Sequence, residues 1–118
     1  MRYHGMSPLV SAGLKAGLFN PKAVSQLDCF EAGVIFARTE GIIPAPESSH
    51  AIAQVIKEAN MATAEGKDTV ILFGLSGHGI MDLAGYAAYF AGELSNYALP
   101  PEVIARSLAC TGQFPRIP

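Results

Sequence analysis

The chain has 118 residues, half of them hydrophobic and only 15% charged, with a formal net charge of −2. At this length it forms one domain at most, and folding buries roughly two-thirds of the surface of the extended chain. The eight Lys and Arg are scattered, which excludes the basic footprint of nucleic-acid or anionic-membrane binding, and no apolar run approaches the ~18 residues of a membrane span.

Ser7-Pro8 is a helix start, with Ser as N-cap and Pro at the first helical position. Leu9, Val10 and Leu14 then recur at helical spacing, and Gly17 fits the residue just past the helix end. Asn20-Pro21 marks a turn. Asp28 followed by Glu31 has capping-box spacing. It predicts a helix that carries Phe30, Val34 and Ala37 on one face, with Cys29 and Phe36 on the flank, and ends at Glu40-Gly41.

Ile42-Ile43-Pro44-Ala45 is expected to be at most a brief strand. A longer helix is predicted from about Ser48 to Ala64, with Ile52, Val55, Ile56 and Ala59 at helical spacing and Ser48 or Ser49 as its cap. Glu47 is well placed at its positive end, and His50 reads as a packed, hydrogen-bonded histidine.

Gly66-Lys67-Asp68 breaks that helix. Thr69 to Leu75 is a continuous apolar run of the kind found inside a parallel sheet. After Ser76 to Gly79 comes a further helix with Leu83, Tyr86, Ala87, Phe90, Ala91 and Leu94 on one stripe. Pro100-Pro101 starts a last helix reaching about Ala109, and Gly112 to Pro118 is irregular.

This order is awkward for a free-standing α/β domain. One good strand and one short one do not make a sheet, because parallel strands need neighbours on both edges and cover on both faces. Either the chain is a compact, alanine-rich helical protein, or part of its apolar surface packs against chain that lies elsewhere.

Two groups of residues carry candidate chemistry. Ser76-Gly77-His78-Gly79 follows a strand-like run and opens a helix, the arrangement that presents free N–H groups to an anion. Two glycines in such a loop are also explained by turn geometry alone. A hydrolase elbow is rejected, since His78 stands where the last Gly belongs and no oxyanion motif accompanies it. Glu40 ends its helix where the macrodipole disfavours a carboxylate by roughly 0.3–1 kcal/mol. A hydrogen bond to a turn amide explains that placement, and so does a role in a site. For metals there is no His-Glu-x-x-His, and Cys29, Cys110, His4, His50 and His78 show no paired spacing.

The phrases Glu40-Gly41-Ile42-Ile43-Pro44-Ala45-Pro46-Glu47-Ser48-Ser49-His50-Ala51-Ile52 and Val70-Ile71-Leu72-Phe73-Gly74-Leu75-Ser76-Gly77-His78-Gly79-Ile80-Met81-Asp82, in this order, resemble the C-terminal part of the tryptophan synthase β chain. The opening Arg2-Tyr3-His4-Gly5-Met6 is similar to the form called type 2. The likeness covers nearly the whole chain but only the last part of that family's length.

The resemblance implies an α/β class, with residues 1–118 as one C-terminal segment of a fold-type II pyridoxal-phosphate enzyme and its helices around an incomplete parallel sheet. It implies that Ser76 addresses the pyridine nitrogen of the cofactor, with Gly77, His78 and Gly79 completing the cofactor loop. His78 stands where the other form of the family has Arg. It also implies that Glu40, as a catalytic residue, lies beside the ring near its 3-hydroxyl. The reaction implied is β-replacement, joining indole to L-serine or O-phosphoserine. A neutral serine hydroxyl leaves the ring a milder electron sink than an Asp would.

Such catalysis needs a lysine that holds the cofactor aldehyde as a Schiff base. Lys15, Lys22, Lys57 and Lys67 have no such context, and no Gly-Gly-Gly-Ser-Asn-like phosphate cup occurs. By this reading the missing N-terminal part of the parent supplies both. The isolated chain is expected to be inactive, to bind no pyridoxal phosphate alone, and to self-associate as a homo-oligomer near Thr69–Leu75.

Met1 to Val10 lacks the basic stretch and apolar core of a secretion signal. Cys29 and Cys110, without close spacing, fit buried thiols in a reducing cytoplasm. Two other readings stay open: a stand-alone, non-catalytic binding or assembly module, and a small phosphate-binding α/β domain using the Ser76–Gly79 loop.

Overall fold

Three helices begin with proline at the first helical position, where the missing N–H costs nothing and the fixed φ is already helical. They are α1 (Pro8–Lys15), α3 (Pro46–Ala64) and α5 (Pro101–Ala109). The other two are α2 (Gln26–Glu40) and α4 (Leu83–Phe90). A computed structural model describes residues 7–113. The Arg2–Met6 phrase, with His4, and the tail beyond Gln113 lie outside the described residues. Two 3₁₀ turns, Gly79–Asp82 and Cys110–Gln113, complete the regular structure.

Several boundaries differ from the sequence reading for identifiable reasons. Ser25, not Asp28, caps α2; its side chain accepts the Asp28 amide at 3.3 Å. A second free amide at that end, Leu27 N–H, donates to Asn96 Oδ1 at 3.0 Å, far along the chain. Ser48 and Ser49 do not cap α3. Ala45 occupies the cap position, and both serines are buried within the first turns. Gly41 ends α2 in the left-handed conformation (φ 70°) that favours glycine. Gly92 (φ 71°) follows the end of α4, leaving Leu94 outside the helix. Cys29 is buried as expected, whereas Cys110 is exposed.

The expected strands do not form. Among the described residues every regular element is helical, and Ile42–Ala45 and Thr69–Leu75 are both irregular. The physical reason is pairing. A strand exists only as a ladder with a neighbour, and these segments lie against helices and not against each other. The incomplete parallel sheet is therefore not seen among the described residues.

The core sits where α2 lies along α3. Ala32, Ile52 and Ala53 form its centre, with Val24, Phe36, Ile56 and Phe73 packed around it. Phe73 from the 69–75 segment meets Phe36 edge-on at 6.1 Å between centroids. At the other end Phe30 stacks on Tyr89 and meets Tyr86 edge-on at 5.1 Å, which ties α4 to α2. Little else closes. The Cα radius of gyration is 17.2 Å, against about 13.5 Å for a compact domain of this length. α1 leaves Leu9 almost bare, and Leu83 and Phe90 of α4 are exposed as well.

Candidate functional site

The first turn of α3 and the connector before it, residues 41–45, form a platform. Pro44 and Ser49 are among the most deeply buried side chains. The Pro44 carbonyl accepts the Tyr86 hydroxyl at 2.7 Å, and the Ser49 hydroxyl donates to the Ala45 carbonyl at 3.1 Å. Burial pushes the Tyr86 phenol above its ordinary pKa, so it is a lasting donor. These bonds matter because a proline-containing connector has few donors of its own and needs fixing from outside.

The loop Ser76–Gly79 is stitched onto this platform at two points. Ser48 Oγ accepts the Ser76 amide at 3.1 Å and donates to the Ser76 carbonyl at 2.5 Å. Gly79 N–H donates to the Ile43 carbonyl at 2.9 Å. Gly79 is buried, and a Cβ there would collide with the Pro44 carbonyl oxygen and press on Ile43 Cγ2 at 2.6 Å. Gly77 has φ 71°, and a Cβ on it would meet Ala45 Cβ at 3.1 Å. His78 Nδ1 accepts the Ile80 amide at 3.1 Å and so caps the Gly79–Asp82 turn.

The two glycines expected to face a cofactor ring thus have a reason inside the chain. They let the loop seat on the connector. Ser76 is different. Its side chain is exposed, and its hydroxyl has one contact, a long 3.5 Å approach to Ser48 Oγ. Ser48 already gives its single proton to the Ser76 carbonyl, so the Ser76 hydroxyl keeps most of its donor and acceptor capacity.

Glu40 is exposed at the C-terminal end of α2, one residue before the left-handed Gly41. The connector joins it to the platform, but among the described residues no hydrogen bond or ion pair links Glu40 to Ser76. The geometry brings together the two sequence phrases and leaves these two side chains apart.

Sequence reasoning missed Ser48 as the clamp and Tyr86 as the connector's anchor. Nothing in the sequence separated Ser48 from its neighbour Ser49, whose hydroxyl back-bonds to the Ala45 carbonyl four residues earlier. Cys29 and His50 form a further contact beside the platform. The Cys29 thiol donates to the Pro46 carbonyl at 2.9 Å and lies 3.4 Å from His50 Nδ1, which also approaches the Pro46 and Glu47 carbonyls. Burial, with the Glu47 charge second, pushes the thiol up to about 11, which makes it a structural thiol and not a nucleophile.

No protein-family model matches the chain. Among curated proteins, the tryptophan synthase beta chain of Pyrococcus horikoshii is 48% identical over 109 residues, which is 92% of this chain and 23% of that protein. Tryptophan synthase beta chain 2 of Pyrococcus abyssi is 52% identical over 97 residues, 82% of this chain and 22% of its own length. That of Methanosarcina mazei is 54% identical over 94 residues, 80% of this chain and 21% of its own.

The chain is homologous to a segment of the tryptophan synthase beta chain. It spans less than a quarter of the length of the curated relatives it matches. The tryptophan synthase beta segment seen here holds a fixed two-loop platform with one exposed hydroxyl. Among the described residues no group of three His, Cys, Asp or Glu could hold a metal ion, and no helix is long and apolar enough to cross a membrane.

Proposed function

We propose that this chain is the C-terminal portion of a tryptophan synthase beta chain and forms the ring-side wall of its pyridoxal-phosphate site. The observation that carries the reading is the pair of hydrogen bonds between the Ser48 hydroxyl and the Ser76 backbone. It fixes the loop while leaving the Ser76 hydroxyl exposed and loosely engaged. The residues present fit one edge of the cofactor, the ring nitrogen, to which Ser76 would offer a neutral hydroxyl.

In this role Ser76 offers a single neutral hydrogen bond and no charge, because an alkyl hydroxyl does not ionise near neutral pH. The cofactor, when bound, supplies an electron sink for bond changes at the β-carbon of an amino acid. Gly77, His78 and Gly79 hold the loop against the connector, and Glu40 presents its carboxylate from the other end of that connector. The lysine and phosphate anchors come from the remaining three-quarters of the parent. The substrates of this reading are indole with L-serine or O-phosphoserine, and the parent assembles as a homo-oligomer.

The test is a chimera in which this chain replaces the matching segment of the P. horikoshii relative. Pyridoxal-phosphate absorbance and tryptophan formation are measured for Ser76, Ser76→Ala and Ser76→Asp. Ser76→Ala is expected to lose about one hydrogen bond, ~1 kcal/mol, or roughly fivefold in rate. Ser76→Asp is expected to shift the cofactor spectrum and cut β-replacement much further, since a carboxylate favours a protonated ring nitrogen. Identical spectra and rates in all three would place Ser76 away from the ring.

A further inference from the structure

Ser48 meets Ser76 with every hydrogen-bonding valence it has. Its one proton goes to the Ser76 carbonyl at 2.5 Å, and one lone pair takes the Ser76 amide at 3.1 Å. The other lone pair faces the Ser76 hydroxyl at 3.5 Å. With its proton committed, Ser48 can only accept from that hydroxyl, and 3.5 Å is too long to hold it. The Ser76 Oγ–H is therefore left to point outward from an exposed side chain.

Ser48 itself is rigidly placed. It is 6% exposed in the first turn of α3, whose Ile52 and Ala53 lie in the core. The loop it holds has a second tether, from Gly79 N–H to the Ile43 carbonyl at 2.9 Å. Removing the Ser48 hydroxyl thus leaves the loop attached at its far end and acts mainly at Ser76. There a part-buried amide and carbonyl lose their partner, and a group left unsatisfied in such a place is costly. Serine hydroxyls readily bond their own or neighbouring backbone, and the hydroxyl at hand is that of Ser76. Turned onto the backbone, it is lost to a ligand outside.

We infer that Ser48 is a positioning residue of the cofactor site: by satisfying the Ser76 backbone it keeps the Ser76 hydroxyl turned outward, its proton free for the ring nitrogen. The inference rests on the proposed placement of Ser76 at that nitrogen. It goes further by assigning the freedom of that hydroxyl to a buried neighbour on another element.

A double-mutant cycle in the P. horikoshii chimera separates positioning from stability. The cofactor dissociation constant and absorbance maximum are measured for the unsubstituted chimera, Ser48→Ala, Ser76→Ala and the double variant. Protection of the amide at position 76 is followed by hydrogen exchange in the cofactor-free proteins. Ser76→Ala and Ser48→Ala are each expected to weaken pyridoxal phosphate about fivefold, and the double variant no further, because both remove the same outward hydrogen bond. Amide protection should fall about tenfold with Ser48→Ala and hold with Ser76→Ala. Ile56→Val trims the core away from the loop. It should lower stability and leave cofactor affinity as it was.

No affinity in any of the proteins, or affinity unchanged in Ser76→Ala, sinks the site reading and the inference with it. A loss in Ser76→Ala with none in Ser48→Ala overturns the inference alone. So do losses that multiply in the double variant, or a loss in Ile56→Val as large as that in Ser48→Ala. Should Ser48→Ala not fold, Ser48→Cys takes its place in the cycle with the same outcomes, since a thiol is a much weaker hydrogen-bonding group.

Discussion

Ser48 grips Ser76 by both backbone polar groups, accepting its amide at 3.1 Å and donating to its carbonyl at 2.5 Å. One hydroxyl can do both because it has one proton and two lone pairs. The two bonds join the first turn of α3 to a loop 28 residues further along the chain, so they fix the position of one relative to the other.

Ser48→Ala should therefore release the loop without disturbing α3. The expected cost is about 1–2 kcal/mol, since water can reach part of the exposed loop and replace what is lost. A lower urea midpoint and faster exchange of the Ser76 amide are the readouts. Unchanged exchange at Ser76 would mean the loop is held by something else.

Gly79 and Gly74 make a matched pair for substitution by alanine. At Gly79 the new methyl would run into the Pro44 carbonyl, a buried backbone group with no freedom to move, and at Gly74 nothing lies within 4 Å. Gly79→Ala should cost about 3 kcal/mol by overpacking, and Gly74→Ala should fall within about 0.5 kcal/mol of the parent chain. Thermal unfolding of the two variants side by side decides it, and equal melting temperatures would refute the contact.

The two cysteines should differ sharply toward a thiol reagent. Cys110 is exposed and Cys29 is fully buried, its thiol donating a hydrogen bond to the Pro46 carbonyl. One thiol per chain should react promptly in native buffer and two after denaturation. Cys29 titrates at about 11 when folded, above its ordinary 9.0. Its contribution to stability is thus complete below about pH 9 and is lost as pH rises through the folded value. Cys29→Ala should flatten that alkaline decline in urea titrations.

The purified 118-residue chain should make no tryptophan from indole and serine above a buffer control, and borohydride should trap no pyridoxal phosphate on it. Neither the lysine context nor the phosphate cup occurs in its sequence. Measurable turnover by this chain alone would contradict the assignment of those anchors to the rest of the parent.

The sequence by itself determined where α1 and α5 begin and where α2 ends, because proline at the first helical position and glycine after the last act through local backbone geometry, but it placed the starts of α2 and α3 a few residues late. It also determined kinship, since the phrases around Glu40 and Ser76 are specific enough to carry a resemblance, and relatives near 50% identity bear out that kinship. It did not determine whether Thr69–Leu75 is a strand. Its apolar run was legible, but a ladder needs a second strand, and the described residues provide none. Nor could it reveal that Ser48 is a clamp and Tyr86 an anchor, or that Gly79 is glycine because of Pro44. Those roles depend on groups from distant segments arriving within hydrogen-bond or van der Waals distance, and only the packing of α2, α3 and α4 around one connector brings them there.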